Sequence, residues 1–221
     1  MQNRRRISPS LARLSAAALA LLAFAGPALA HPHVWVSVRS ELDYAADGTL
    51  TGVKHAWTFD EGFSAYALQG LATTPDGKPT EATLKELAQV NIDSLKEFDY
   101  FTFATRGKDK LPFNPPKDYS LSYDGTSLTL HFTLPLAKPL ARSGTLALDV
   151  YDPTYFVAFD LADNDPVKLA GDAQGCTLDL HRPDPAAGAT SATLSESFFN
   201  ALTSASAYGS QFANRVTVKC P

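Results

Sequence analysis

Residues 34–59 alternate between apolar and polar, and no other feature limits what this chain can fold into as sharply. Val34, Val36, Val38 and Leu42 lie in one phase, with Ser40 its only polar member, while Trp35, Ser37, Arg39 and Glu41 lie in the other. A period of two marks a strand with one buried face. Asp47-Gly48 is a hairpin turn signal, and TLTGVKHAWTF, Thr49 to Phe59, is the return strand. A one-residue slip would exchange the faces, so the register can be argued. A two-residue turn at Asp47-Gly48 pairs Ala46 with Thr49 and sets Val36 against Phe59, Val38 against Trp57 and Leu42 against Val53. That face is apolar throughout. The neighbouring register sets Val34, Val36 and Val38 against Asp60, Thr58 and Ala56 and mixes the faces. The first register is expected.

This register has a chemical consequence. Trp35 falls opposite Asp60 and His33 opposite Gly62, so His33 and Asp60 share the non-core face. Diagonal neighbours across a strand pair lie within about 7–8 Å. His31 is two residues upstream on that face, and Glu61 directly follows Asp60. Both acids have structural uses as well: Asp60 is a good helix N-cap and Glu61 favours the helix dipole. His55 pairs with Ser40 on the core face, about 20 Å along the strand from His33 at the usual rise per residue. It reads as a half-buried structural histidine.

Beyond the hairpin, DEGFSAYALQGL is expected as a short helix from Asp60. Thr80 caps a second helix to about Phe98, with Leu84, Leu87, Ala88, Ile92 and Leu95 at helical spacing. The rest is mostly β. YFTFATRG is a strand, KDKLPFNPPKD a Pro-rich loop, and the run from Tyr119 a hairpin around Asp124-Gly125. GTLALDVYD, TYFVAFDL, GCTLDLHR and RVTVKC are further strands. PDPAAGATSA is a small-residue linker, and TLSESFFNALTS is an amphipathic helix with Leu194, Phe198, Phe199 and Leu202 on one side. The fold class is α+β: an antiparallel sheet or sandwich with a helical insertion after the first hairpin and a C-terminal helix.

The first 30 residues read as a secretory signal. Arg4, Arg5 and Arg6 precede the apolar run Leu14 to Phe24, and Ala28-Leu29-Ala30 is a small-x-small cleavage site. Cleavage after Ala30 leaves residues 31–221 as a single periplasmic domain with no membrane span. It removes four arginines and no acids, which takes the formal charge from −4 to −8. Such an acidic chain is a poor partner for nucleic acid and a better one for cations. The two cysteines, Cys176 and Cys220, are expected to pair in an oxidising compartment. Closing that loop adds very roughly 3–4 kcal/mol by the chain-entropy estimate.

Cleavage also makes His31 the first residue, with a free α-amine. Imidazole and amine nitrogens suit zinc, nickel and copper, and a nearby carboxylate shifts the balance toward zinc or nickel over Cu(I). Pro32 has no amide hydrogen to lose, which blocks the square-planar amino-terminal copper or nickel motif. Elsewhere, Asp152 is a turn residue before Pro153 and Asp160 ends a strand. The segment around Asp76-Gly77 lacks the carboxylates of a calcium loop, since Ala72 and Thr83 stand at its first and twelfth positions. No nucleophile elbow, phosphate loop or H-E-x-x-H motif is present, and the chain is not expected to be an enzyme.

HPHVWV, WTFDEGFSAYAL, YFTF, YDPTYFVAFDL and the late GCT…VKC closely resemble the bacterial periplasmic family called domain of unknown function 1007. The resemblance covers nearly all of 31–220. Members are often labelled substrate-binding proteins of ABC transporters, and they accompany permeases of the nickel/cobalt class. The resemblance implies zinc or nickel acquisition. Carried onto this chain, the family pattern singles out His31, His33, Trp57, Asp60, Glu61, Asp152, Pro153 and Tyr155. It implies a periplasmic accessory that delivers zinc, or else nickel or cobalt, to a membrane permease. The family pattern does not fix the ligands; the hairpin register makes His31 and His33 the expected nitrogen donors and Asp60 or Glu61 the expected oxygen donors. Asp152 and Tyr155 are further metal or structural candidates. Two other readings stand beside it. One is a substrate-binding protein for another solute. The other is a copper enzyme built on the N-terminal histidine, with His131 or His181 as the second imidazole.

Overall fold

The computed structural model describes residues 32–183 and 208–221. The export signal, His31, most of the small-residue linker and the expected C-terminal helix lie outside the described residues. Strands β1 (Val34–Tyr44) and β2 (Leu50–Phe59) form the first hairpin. Helices α1 (Glu61–Leu68) and α2 (Glu81–Leu95) follow, each with the expected cap, Asp60 and Thr80. A distorted turn over 96–101 leads into β3 (Thr102–Arg106) and β4 (Asp109–Leu111), then the hairpin of β5 (Tyr119–Tyr123) and β6 (Leu128–Leu140). After these come β7 (Gly144–Val150), β8 (Val157–Leu161), β9 (Val167–Gly171), β10 (Thr177–His181) and β11 (Asn214–Cys220). Among the described residues no helix is long and apolar enough to cross a membrane.

The strands make two sheets. One runs β5-β6-β2-β1-β8, with β9 also on β1, and the other runs β10-β11-β7-β3-β4. Val36, Val38, Trp57 and Leu130 of the first sheet and Leu148, Val150 and Val216 of the second are almost fully buried, in one common core. Polar contacts also cross between the sheets: the Asn214 amide donates to the Phe159 carbonyl, and His55 meets Thr102. Cys176 and Cys220 are disulfide-bonded, as expected. The fold is the expected α+β sandwich, with the helices inserted between the first hairpin and the remaining strands.

The register of the first hairpin is the expected one: Val36 pairs with Phe59, Val38 with Trp57 and Leu42 with Val53. The turn that delivers it is different. Gly48 N–H donates to the Ala45 carbonyl at 2.9 Å and Ala45 N–H to the Thr49 carbonyl at 2.8 Å, with Gly48 left-handed at φ 79°. Three residues, not two, therefore span the turn, in the type I plus bulge form. Alone, this turn would impose the register that mixes the faces. A second irregularity, between Asp43 and Tyr44, where Gly52 and Leu50 are the partners, restores the apolar one. Thr51 is left over and donates its hydroxyl to the Asp43 carbonyl at 3.0 Å. The buried face thus overrides the turn, as the cost of exposing a whole apolar strand face requires.

Gly52 sits where this bulge meets β6. A Cβ there would lie 2.5 Å from the Leu134 carbonyl oxygen, a backbone atom that cannot swing away. Gly52→Ala is expected to lower the free energy of unfolding by roughly 1–3 kcal/mol, measured by urea denaturation, through overpacking at a rigid site.

The departures from the sequence-based expectations are local. Tyr100 and Phe101, expected within a strand, are left-handed turn residues, and β3 starts at Thr102. Part of the Pro-rich loop forms β4, and β8 starts only at Val157. β9 is an additional strand. The sheet is also not wholly antiparallel: β8 and β9 both run parallel to β1, against Val34–Val38 and Ser40–Tyr44 in turn. They behave as one interrupted strand, bridged where Ala162 N–H donates to the Val38 carbonyl and Ser40 N–H to the Pro166 carbonyl.

His55 is fully buried, deeper than its pattern suggests. Nδ1 lies 2.9 Å from the Ser40 hydroxyl and Nε2 lies 3.3 Å from the Thr102 hydroxyl, with the Trp57 and Phe132 rings beside it. Burial without a counter-charge lowers its pKa from 6.5 to about 3. The unfolded chain therefore binds a proton between those values that the folded chain refuses. Stability falls as pH falls through this window, by up to about 1.4 kcal/mol per pH unit. From this residue alone, unfolding at pH 5 is expected to cost about 2 kcal/mol less than at neutral pH. Denaturant titrations of the wild type and of His55→Gln, which lacks the titration, measure the difference.

Candidate functional site

Asp60 is the joint between β2, α1 and the start of β1. Its Oδ1 accepts from Phe63 N–H at 2.8 Å, which caps α1, and its Oδ2 accepts from Trp35 N–H at 2.9 Å. Its own N–H donates to the Trp35 carbonyl at 2.9 Å, which continues the hairpin ladder. One carboxylate thus holds the helix start to β1 two residues beyond His33. Trp35 lies opposite Asp60, as the register requires, and the N-cap and strand-clamp roles coincide. Glu61 is exposed in the first turn of α1.

His33 is exposed at the entry to β1. Its backbone N–H donates to the Phe156 carbonyl at 2.9 Å, and its ring centroid lies 4.8 Å from that of Phe156. The loop that presents Phe156 is built by Asp152. Asp152 is buried; its Oδ1 accepts from Thr154 N–H and hydroxyl at 2.7 and 2.8 Å, and its Oδ2 from Val157 N–H at 3.0 Å. Tyr155 takes the left-handed position of this turn at φ 57° and stacks on Phe212 with centroids 3.8 Å apart. Pro153 accepts from Gly209 N–H at 3.0 Å, and a Cβ at Gly209 would meet the Asp152 carbonyl oxygen at 1.9 Å. Asp152, Pro153 and Tyr155 therefore act together as scaffold, holding the loop that receives the His33 backbone. Trp57, on the opposite face of β2, belongs to the core.

A further carboxylate joins this end of the sheet. Parallel pairing sets Asp160 of β8 beside Ser37, on the face that carries Trp35, and Asp160 and Asp60 line one shallow recess of about 270 Å³ with Trp35 and Thr58. Loss of water around Asp160 raises its carboxyl above the ordinary range, against the pull of Arg182. The sequence alone places Asp160 at a strand end and does not bring it here. The phase of VAFDL is the available signal, but only the parallel partner tells which strand the residue adjoins.

Among the described residues, no three His, Cys, Asp or Glu side chains gather into a metal-holding group. His31 lies outside the described residues, next to Pro32. His131 donates or accepts at the Ser122 hydroxyl, 3.0 Å away, and is level with Ala56 and Arg39, about 20 Å along β1 from His33 at the usual strand rise. His181 ends β10, the edge strand of the other sheet, opposite Arg215.

The double duty of Asp60 sets an expectation. Asp60→Ala removes the cap and leaves Trp35 N–H without its acceptor, and should lower unfolding free energy by about 1–3 kcal/mol. Asp60→Asn keeps an acceptor for the cap and should recover most of it. Urea denaturation of both variants is the measurement.

Comparison with known proteins gives two findings. The family model described as "Protein of unknown function (DUF1007)" matches residues 16–220. An uncharacterized protein from Haemophilus influenzae is 30% identical over 196 residues, which span 87% of this chain and 92% of that protein.

Proposed function

The chain belongs to the DUF1007 family, and we propose that it is an exported, periplasmic protein that binds a transition metal as cargo and delivers it to a membrane permease of the nickel/cobalt class. Zinc is the first choice of cargo, with nickel or cobalt next. His31 and His33 supply imidazole nitrogen, and Asp60 or Glu61 supplies oxygen. The observation that carries the reading is the bond from Trp35 N–H to Asp60 Oδ2, at 2.9 Å, which pins a carboxylate at the histidine-bearing end of β1. A carboxylate oxygen with one hydrogen bond retains a lone pair for a cation. Mixed nitrogen and oxygen donors suit zinc. Such a set, lacking thiolates, releases its ion to a partner more readily than a closed cysteine site.

The reading involves no catalytic step and no nucleic acid. The negative charge of the chain favours a cationic cargo. The test uses protein cleaved after Ala30 and titrated calorimetrically with zinc, nickel and copper. His31→Ala/His33→Ala is expected to weaken zinc binding at least tenfold. Unchanged affinity in that variant would overturn the site. A form carrying one extra residue before His31 separates the α-amine from the imidazoles: loss confined to that form assigns the amine as a ligand.

A further inference from the structure

A second candidate site lies on the other side of β1. A cavity of about 590 Å³ opens between the inner face of β1 and β2, the two helices, the distorted turn and the loop before β8. Its wall is aromatic: Trp57 and Phe59 from β2, Phe63 from α1, Phe98 and Phe101 from the distorted turn, and Phe159 from β8. This volume is in the range of small-molecule pockets, and apolar walls with a few polar groups are their usual lining. Phe98 and Phe156 stand at the mouth, 45% and 47% exposed.

Both rims carry strained backbone. Asp99, Tyr100 and Phe101 are left-handed in succession, at φ 51°, 53° and 47°, and Tyr155 on the opposite rim is left-handed at φ 57°. For residues other than glycine such a conformation is disfavoured, because Cβ crowds the following carbonyl oxygen. The first run is held by the Thr102 hydroxyl, which donates to the Tyr100 carbonyl at 2.8 Å, and by Tyr151 N–H, which donates to the Phe101 carbonyl at 3.1 Å. It turns Phe98 onto Phe101, with stacked centroids 5.2 Å apart, as a side wall. Strain of this kind gathers where a binding surface must be held open.

Charge defines the ligand. Among the described residues no lysine, arginine or histidine lines the cavity, so an anion finds no counter-charge. Asp152 is the one acid among them, and both of its oxygens are already occupied by three hydrogen bonds, so a cation gains little. Asn91 and Ser94 of α2 donate to the Leu87 and Val90 carbonyls and keep their side-chain oxygens as acceptors. We propose that this cavity binds a small, uncharged, ring-bearing molecule with a single hydrogen-bond donor.

The probe is N-phenyl-1-naphthylamine, which is neutral, aromatic and carries one N–H. It is titrated into the cleaved protein bearing Trp35→Phe, which leaves Trp57 as the only tryptophan. Saturable one-to-one binding with energy transfer from Trp57 is expected. Its sulfonated anionic relative, 1-anilinonaphthalene-8-sulfonate, should bind at least tenfold more weakly. Phe98→Asp and Ser94→Glu, both at exposed positions, should weaken the neutral probe at least tenfold, whereas Val90→Asp, one turn before Ser94 but exposed and outside the cavity lining, should not. Phe98 is chosen over Phe156 because the Phe156 ring touches His33. No saturable binding, as when another part of the chain or a second copy fills the cavity, would overturn the proposal. So would equal loss in Val90→Asp, or a preference for the sulfonate.

Discussion

The molecule is organised by the pairing of β1. This strand bonds β2 along one edge and, along the other, β8 and then β9, so three strands, two of them more than a hundred residues away in sequence, take their positions from it. Its alternation admits one orientation only. Val34, Val36, Val38 and Leu42 must face the second sheet, and the residues between them must face out. The hairpin turn does not by itself supply that register, and the bulge at Thr51 supplies the correction. A strand whose inner face carries so much apolar area can impose a backbone irregularity, because one bulge costs far less than exposing that face.

The same orientation gathers the chemistry at one end. The outward phase of β1 presents His33 and Trp35. The β2 partner ends in Asp60, which binds Trp35 N–H and caps α1 at once. The β8 partner brings Asp160 to the same face, and the loop before it, braced by Asp152 and Tyr155, receives His33 N–H. The inward phase at that end borders the apolar cavity through Val34 and Val36. A polar face with histidine and carboxylates and an aromatic cavity thus lie on opposite sides of one strand.

Much of this is legible in the chain because it is local. The apolar phase fixes the hairpin register, and with it the pairing of Ser40 with His55 and the placing of Asp60 opposite Trp35. Caps at Asp60 and Thr80 follow from side chains that satisfy free N–H groups within three residues. What is not legible is non-local. The parallel partners of β1 come more than a hundred residues later, and nothing in VAFDL or VKLAG says which strand they join. Asp160 escapes notice for that reason. The left-handed run at Asp99–Phe101 is also hidden, because FDYFTF carries the aromatic pattern of a strand and no glycine marks the turn. Asp152 reads as a turn residue and proves to be one, with the added consequence that its loop positions His33.

The metal site proposed at the end of β1, made of imidazole and carboxylate donors, has a spectroscopic signature. X-ray absorption at the zinc edge, on cleaved protein loaded with one equivalent of zinc, reads it. Such a site gives nitrogen and oxygen neighbours at about 2.0–2.1 Å with the outer-shell scattering of two imidazoles, and no sulfur. A spectrum with no imidazole scattering, or one unchanged in His31→Ala/His33→Ala, would contradict it.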